Sequence, residues 1–151
     1  MKYEIVNLEE KTAVGLCART NNASPDMCKV IGGLWQKFYS DGIYSSIENK
    51  SGNKALGLYY DYEDAEKGDY STAAACEVTA ADKIPEGMTA IRIPAGKYAR
   101  FVVKGDMIEA VARFWSELWR RDINRSFVCD FEEYQNSDPV NAEIHIYIGI
   151  K

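Results

Sequence analysis

The sequence predicts an α+β fold: a duplicated module with its two copies related by a pseudo-twofold axis, antiparallel sheets with helices on one side, and a ligand cavity between the halves. Strand-like alternation and helix-period stripes follow one another in the order β-β-α-β-β, and the second half of the chain repeats that order. IGGLWQKFY at 31–39 lines up with VARFWSELW at 111–119, placing Trp35 on Trp115 and Phe38 on Leu118. YDYED at 60–64 lines up with CDFEE at 129–133, in the same order along the chain. The repeat covers about 1–80 and 86–151 of a single 1–151 domain.

Residues 3–9 and 12–20 alternate as a first pair of strands. After the turn-forming stretch NNASP, Pro25 and Asp26 open a helix. Val30, Ile31, Leu34, Trp35 and Phe38 then recur at three- and four-residue spacing, and the stripe stops at Asp41-Gly42. Gly32 and Gly33 lie inside it at a cost of about 1 kcal/mol each relative to alanine, which predicts close packing or a kink. A polar loop at Ser51-Gly52-Asn53 leads to strand ALGLYYDYE, a turn at Lys67-Gly68-Asp69, and strand YSTAAACEVT. In the second half, MTAIRIP and GKYARFVVKG are strands joined by Pro94-Ala95-Gly96. A helix follows from Asp106 to Asp122, with Ile108, Val111, Trp115 and Leu118 on one stripe. RSFVCDFEEY and AEIHIYIGIK close the chain as strands around an Asn-Ser-Asp-Pro turn.

A length of 151 residues supports one buried core. A net charge of -5 argues against a nucleic-acid partner held through phosphates, and Arg120, Arg121 and Arg125 read as a helix C-terminus that complements its dipole. No apolar run approaches a membrane span and the first residues carry no secretory signal, so a cytoplasmic location is expected, with no membrane partner. Cys17, Cys28, Cys76 and Cys129 show no CxxC spacing and sit among apolar residues, as buried reduced thiols would. With His145 as the single histidine, a zinc site or Ser-His-Asp triad has little to draw on, and no metal or cofactor is expected.

The stretch CDFEEY carries the chemistry. Strand alternation puts Phe127, Cys129 and Phe131 on one face and Val128, Asp130, Glu132 and Tyr134 on the other. If the first face packs under the helices, the acidic face looks into water or into a cavity. The last strand offers Glu143, His145 and Tyr147 opposite its isoleucine ladder, Ile144 to Ile150. A lining of rings and one desolvated carboxylate suits a lipophilic cation, because ring faces attract the cation and the carboxylate supplies the countercharge. Tyr59, Tyr60 and Tyr62 divide between the two faces of their strand: pairing Asp61 with Asp130 favours Tyr59 on the cavity side, whereas a bulge favours Tyr60 and Tyr62. Trp35 and Trp115, on helical stripes, read as core residues that can also wall a cavity near the pseudo-axis.

The ordered set GLWQKFY, GLYYDYED, IPAGKYARFVVKG, FWSELW, RSFVCDFEEY and AEIHIYIGIK resembles the GyrI-like, AraC-type effector-binding domain superfamily, especially its stand-alone members, from about residue 2 to 151. The resemblance implies duplicated β-α-β-β modules with pseudo-twofold symmetry and a cavity between them, and assigns the acid of the F-E-x-Y motif, Glu132, to cationic, aromatic or amphipathic ligands. Glu132 is expected to pair with the charge, and Tyr134, Tyr147, Tyr59, Tyr60, Trp35 and Trp115 to supply ring contacts. The implied protein is bacterial, with a small organic ligand as its partner and either a homodimer through strand edges or a separate regulator protein beside it. No helix-turn-helix segment accompanies the domain, so DNA binding in cis is not implied. Two alternatives use the same residues differently: a hydrolase of electrophilic small molecules with Glu132 as general base, and an inhibitor that captures a partner enzyme through its acidic surface.

Overall fold

Residues 2–151 are described by a computed structural model. The elements are β1 (Glu4–Leu8), β2 (Lys11–Thr20), α1 (Met27–Ser40), α2 (Ile43–Ser46), β3 (Lys50–Tyr60), β4 (Tyr70–Val78), β5 (Thr89–Ile93), β6 (Gly96–Gly105), α3 (Met107–Leu118), β7 (Arg125–Tyr134) and β8 (Ala142–Ile150). Three boundaries differ from the sequence reading. The short α2 was not anticipated, β3 runs back through Ser51-Gly52-Asn53 to Lys50, and α3 stops at Leu118. Arg125 therefore belongs to a strand and not to a helix end. The two long helices also begin differently. Asp106 accepts hydrogen bonds from the N–H groups of Ile108 and Glu109 at the start of α3, whereas Asp26 makes no side-chain cap at the start of α1.

All eight strands form one antiparallel sheet in the order β1-β6-β8-β7-β3-β4-β2-β5. Its two halves repeat each other in detail. β1, β2 and β4 map end to end onto β5, β6 and β8. Asn49 and Asn124 both take left-handed backbone, at φ 62 and 61, and their carbonyls accept from Thr79 N–H and Lys151 N–H at 2.8 and 3.0 Å. Each middle strand then slips register, between Lys50 and Ala55 in one half and between Arg125 and Asp130 in the other. The ladders place Lys50 on Arg125, Gly57 on Glu132 and Tyr59 on Tyr134.

These equivalences correct the alignment of YDYED with CDFEE, which is six residues out of register. A strand pattern has period two, so a slip by any even number keeps its apolar and acidic positions matched. The Trp35–Trp115 match survives, because helix stripes carry more information per turn.

One topological feature was not legible. β1 pairs with β6 and β5 with β2, so the first strand of each module completes the sheet of the other. The expected first pair, β1 with β2, does not exist as a hairpin, and neither does β5 with β6.

The apolar positions sort onto two faces. α1 packs on β2 and β4, burying Phe38 against Val14, Leu16, Ala74 and Cys76. α3 packs on β6 and β8, burying Phe114 and Leu118 against Ile144, Ile146 and Ile148. On the other face, Ile91 and Ile93 of β5 share one cluster with Tyr98 of β6, Leu58 and Phe131. Since β5 and β6 stand near opposite ends of the strand order, the sheet must curl until its ends meet. That closure buries the second face without a helix. It leaves β3 and β7 bare on the helix side, between α1 and α3.

The cysteines divide: Cys76 and Cys129 are buried, while Cys17 and Cys28 are exposed. No helix among the described residues is long and apolar enough to cross a membrane.

Gly32 and Gly33 lie in a continuous helix with open space where a Cβ would stand, so neither serves close packing. Gly33→Ala is predicted to stabilise the protein by about 1 kcal/mol, read as a higher urea midpoint at unchanged slope. An unchanged or lower midpoint would show that α1 needs a glycine there for a reason other than space.

Candidate ligand-binding cavity

The bare β3–β7 floor and the two helices enclose a cavity of about 1290 Å³. α1 supplies Ile31, Gly32, Trp35 and Tyr39 to its wall, and α3 supplies Ile108, Val111, Trp115 and Trp119. Tyr59, Tyr62, Glu132 and Tyr134 rise from the floor. The volume is ample for a drug-sized molecule.

Glu132 is 1% exposed. Its Oε2 accepts from the Trp115 indole N–H at 2.8 Å and from the Tyr59 hydroxyl at 3.0 Å, and its Oε1 accepts from the Tyr134 hydroxyl at 2.8 Å. All three donors are neutral. Among the described residues, no lysine, arginine or histidine forms an ion pair with it. Burial raises its pKa above the ordinary carboxylate value, while the three hydrogen bonds pull the other way without cancelling the rise. The same burial, reinforced by the adjacent carboxylate, holds the Tyr59 and Tyr134 hydroxyls well above their usual range and keeps them as donors.

The pseudo-twofold axis explains this geometry. Gly57 faces Glu132 across the β3–β7 ladder and is also its equivalent in the other half, so the axis passes between them. Tyr59 and Tyr134 are likewise equivalent, and their hydroxyls reach the one carboxylate from both sides. A Cβ on Gly57 would stand 2.8 Å from Oε1 of Glu132 and 3.3 Å from the Trp35 ring. Glycine at this position makes room for the acid.

Of the residues expected to line a cavity, Glu132, Tyr134, Tyr59, Trp35 and Trp115 meet here. Trp35 packs edge to face on Tyr134, with ring centroids 5.3 Å apart. Tyr147 and Tyr60 do not join them. Tyr147 pairs with Phe131 across the β7–β8 ladder and stacks on its ring at 4.6 Å, on the far face of the sheet. Tyr60 is on that face too, donating to Cys17 Sγ. Glu132 instead neighbours Ile146, so the isoleucine ladder shares the cavity face, and that face lies under the helices. The expectation of an acidic face turned away from the helices is thereby reversed: a cavity between two helices accepts polar strand residues that a helix directly above would exclude.

Sequence reasoning missed Gly57, Tyr62 and the pairing of Asp130. Asp130 is fully buried, accepting from Tyr62 OH at 2.6 Å, Arg125 Nη2 at 2.7 Å and Gly149 N–H at 2.9 Å. Arg125, read from sequence as part of a helix end, is its counterion. No signal in the sequence connects them, because the register slip between residues 125 and 130 is what turns the two side chains toward each other.

Gly57→Ala is predicted to displace the Glu132 carboxylate from its donors and to cost about 1–3 kcal/mol of stability, the range for overpacking a filled site. Urea unfolding reads the cost and tryptophan fluorescence reads the loss of the Trp115 bond. A fold as stable as wild type with unchanged fluorescence would show that the site gives way freely.

The chain is similar to known proteins over its whole length. Residues 4–150 match the model of Cass2, the integron-associated effector binding protein family. YobU of Bacillus subtilis (strain 168), named as a transcriptional regulator protein, is 32% identical over 155 residues, covering 97% of this chain and 96% of YobU. Among solved structures, an integron cassette protein from the mobile metagenome of Vibrio cholerae superposes with a TM-score of 0.80 at 26% identity, over 99% of this chain and 95% of that one. SAV2435, solved bound to tetraphenylphosphonium, superposes with a TM-score of 0.81 at 23% identity, over 100% of this chain and 94% of that one. The chain belongs to the Cass2 family of integron-associated effector-binding proteins and has the GyrI-like fold that its motifs resemble.

Proposed function

We propose that this protein binds a lipophilic organic cation in the cavity between α1 and α3, with Glu132 as the countercharge. The observation that carries this reading is a buried carboxylate served by three neutral donors, with no ion-pair partner among the described residues, on the floor of a large aromatic chamber. Neutral donors orient the carboxylate but leave its charge without a partner, and a ligand cation brought into the same low-dielectric space supplies one. Trp35, Trp115, Tyr59 and Tyr134 present ring faces and edges around it, adding cation–π attraction of about 0.5–2 kcal/mol per well-placed ring. Tetraphenylphosphonium, the ligand of SAV2435, is a cation of this kind on the same fold. Binding in that mode suits an effector sensor or a sequestering protein. A general base needs a carboxylate lone pair facing water, and the three donors take three of the about four that Glu132 offers, leaving one on Oε1.

Glu132→Gln is predicted to weaken binding of a phosphonium or quaternary ammonium probe by about tenfold or more, and that of a neutral analogue of the same shape by little. Titration of tryptophan fluorescence reads both. Equal weakening of the two would remove the charge-pairing role.

The raised pKa of Glu132 also sets the sign of a stability change. The folded state keeps the proton to a higher pH than the unfolded chain does, so stability falls as pH rises from the ordinary carboxylate range through the folded-state pKa, then levels off. Glu132→Gln is predicted to remove that part of the decline, checked by urea unfolding from pH 4 to pH 8 on the order of every half unit. A mutant profile parallel to wild type would show that Glu132 ionises as freely in the folded protein as in the unfolded one. The same titration makes affinity for a permanent cation rise with pH across that window.

A further inference from the structure

Resting on the cavity reading above, we propose that Arg125 forms a second polar subsite in the same chamber, one that takes a hydrogen-bond acceptor on the ligand, so that the preferred ligand carries a carbonyl or similar group as well as its cationic centre. Arg125 lines the cavity, and its side chain is 8% exposed. A guanidinium has five N–H donors, and here only Nη2 has a recorded acceptor, Asp130 Oδ2 at 2.7 Å. Its Nε is buried and has no partner among the described residues. Buried donors without acceptors are uncommon in folded proteins, and Nε is too enclosed for a ligand to reach; Nη1, which has no acceptor among the described residues and is not enclosed, is the donor a ligand in the chamber can meet.

The surroundings fix the group and tune its charge. The guanidinium carbon lies 4.2 Å from the Phe127 ring centroid, and Phe127 holds left-handed backbone at φ 55 where the other half has Gly52. A phenylalanine in that conformation is strained. Its ring, edge to face with Tyr62 at 5.7 Å, is in return a platform beneath Arg125. Asp130 neutralises the guanidinium, so Arg125 can stand near a cationic ligand without repelling it. The guanidinium also lies 5.9 Å from the Trp115 ring whose N–H holds Glu132, which puts the donor and the carboxylate around one indole. Lys50, the equivalent residue in the other half, is spent on the carbonyls of Tyr44 and Ile47 and does not line the chamber. The acceptor subsite therefore exists on one side of the pseudo-axis only, and it gives a nearly symmetric cavity a direction.

Four probes separate the two poles: para-acetylphenyl-trimethylammonium, its para-isopropyl counterpart, and the neutral pair in which tert-butyl replaces trimethylammonium. The wild type is expected to prefer acetyl over isopropyl by about tenfold in both the charged and the neutral pair, the value of one buried hydrogen bond. Arg125→Lys keeps a cation for Asp130 but removes the planar fork, and it is expected to bring the acetyl preference close to one while leaving the preference for charged over neutral probes intact. Glu132→Gln is expected to do the reverse. Where Arg125→Lys fails to fold, Arg125→Met with Asp130→Asn removes both members of the ion pair together and serves the same comparison. An acetyl preference that survives loss of Arg125, or no acetyl preference in the wild type, including no binding of any probe, overturns the subsite. A charged-to-neutral ratio near one overturns instead the role of Glu132.

Discussion

A single carboxylate on the pseudo-twofold axis sets the terms for the rest of the molecule. Duplicated modules place equivalent residues face to face at the axis, and two buried acids there would repel each other strongly enough to keep one protonated. The chain avoids the pair by using glycine at 57 and glutamate at 132. Everything else near the axis stays nearly symmetric, and the two tyrosines that would each have served their own acid converge on one. The asymmetry also reaches the helices. Trp115 donates to the carboxylate, whereas its equivalent Trp35 packs beside Gly57 and against Tyr134.

The curled sheet is what allows such a group to be buried. Because the ends of the sheet meet on its far face, that face fills with Leu58, Phe131, Tyr98, Ile91 and Ile93 and needs no covering layer. The helices are then free to stand apart over β2–β4 and β6–β8 and leave the central strands open between them. The two walls differ in firmness. α3 is capped by Asp106 and packs three buried residues, while α1 lacks a side-chain cap, buries Phe38 alone and carries two glycines at open positions. By these measures α1 is the less constrained wall of the cavity.

The sequence was legible where a pattern has a period of its own. Helical stripes at Leu34, Trp35 and Phe38 and at Ile108, Val111, Trp115 and Leu118 placed both helices and matched them correctly, and alternation located all eight strands. Alternation could not decide what lies above each face. Glu132 and Tyr134 were paired correctly with each other, yet Tyr147 was put beside them when the ladder register sets it behind Phe131. The exchange of β1 and β5 between modules was hidden for a similar reason. Strand pairing is a long-range choice, made by apolar surfaces such as those of Val6, Leu8, Ile91 and Ile93 that look alike in sequence. Tyr59 was placed on the cavity side through a misaligned Asp61, so that assignment held for a reason unrelated to the one that produced it.

Asp130 and Glu132 show how far identical chemistry can diverge over two residues of one strand. Both are buried on the same face. Asp130 sits at the end of a register slip, where the ladder bond it interrupts is replaced by Gly149 N–H and where Arg125 is brought back within 2.7 Å. Its charge is met inside the protein, and its geometry is closed. Glu132 sits in regular ladder, so no backbone donor is freed for it, and among the described residues no basic side chain pairs with it. It must draw on rings that carry a polar edge: one indole and two phenols. Those groups hold its orientation while leaving its charge uncompensated, and they are also the surfaces a bulky cation prefers. The contrast between two acids on one strand, one met by Arg125 and one held by neutral donors alone, is what the proposed pairing of Glu132 with a ligand cation rests on.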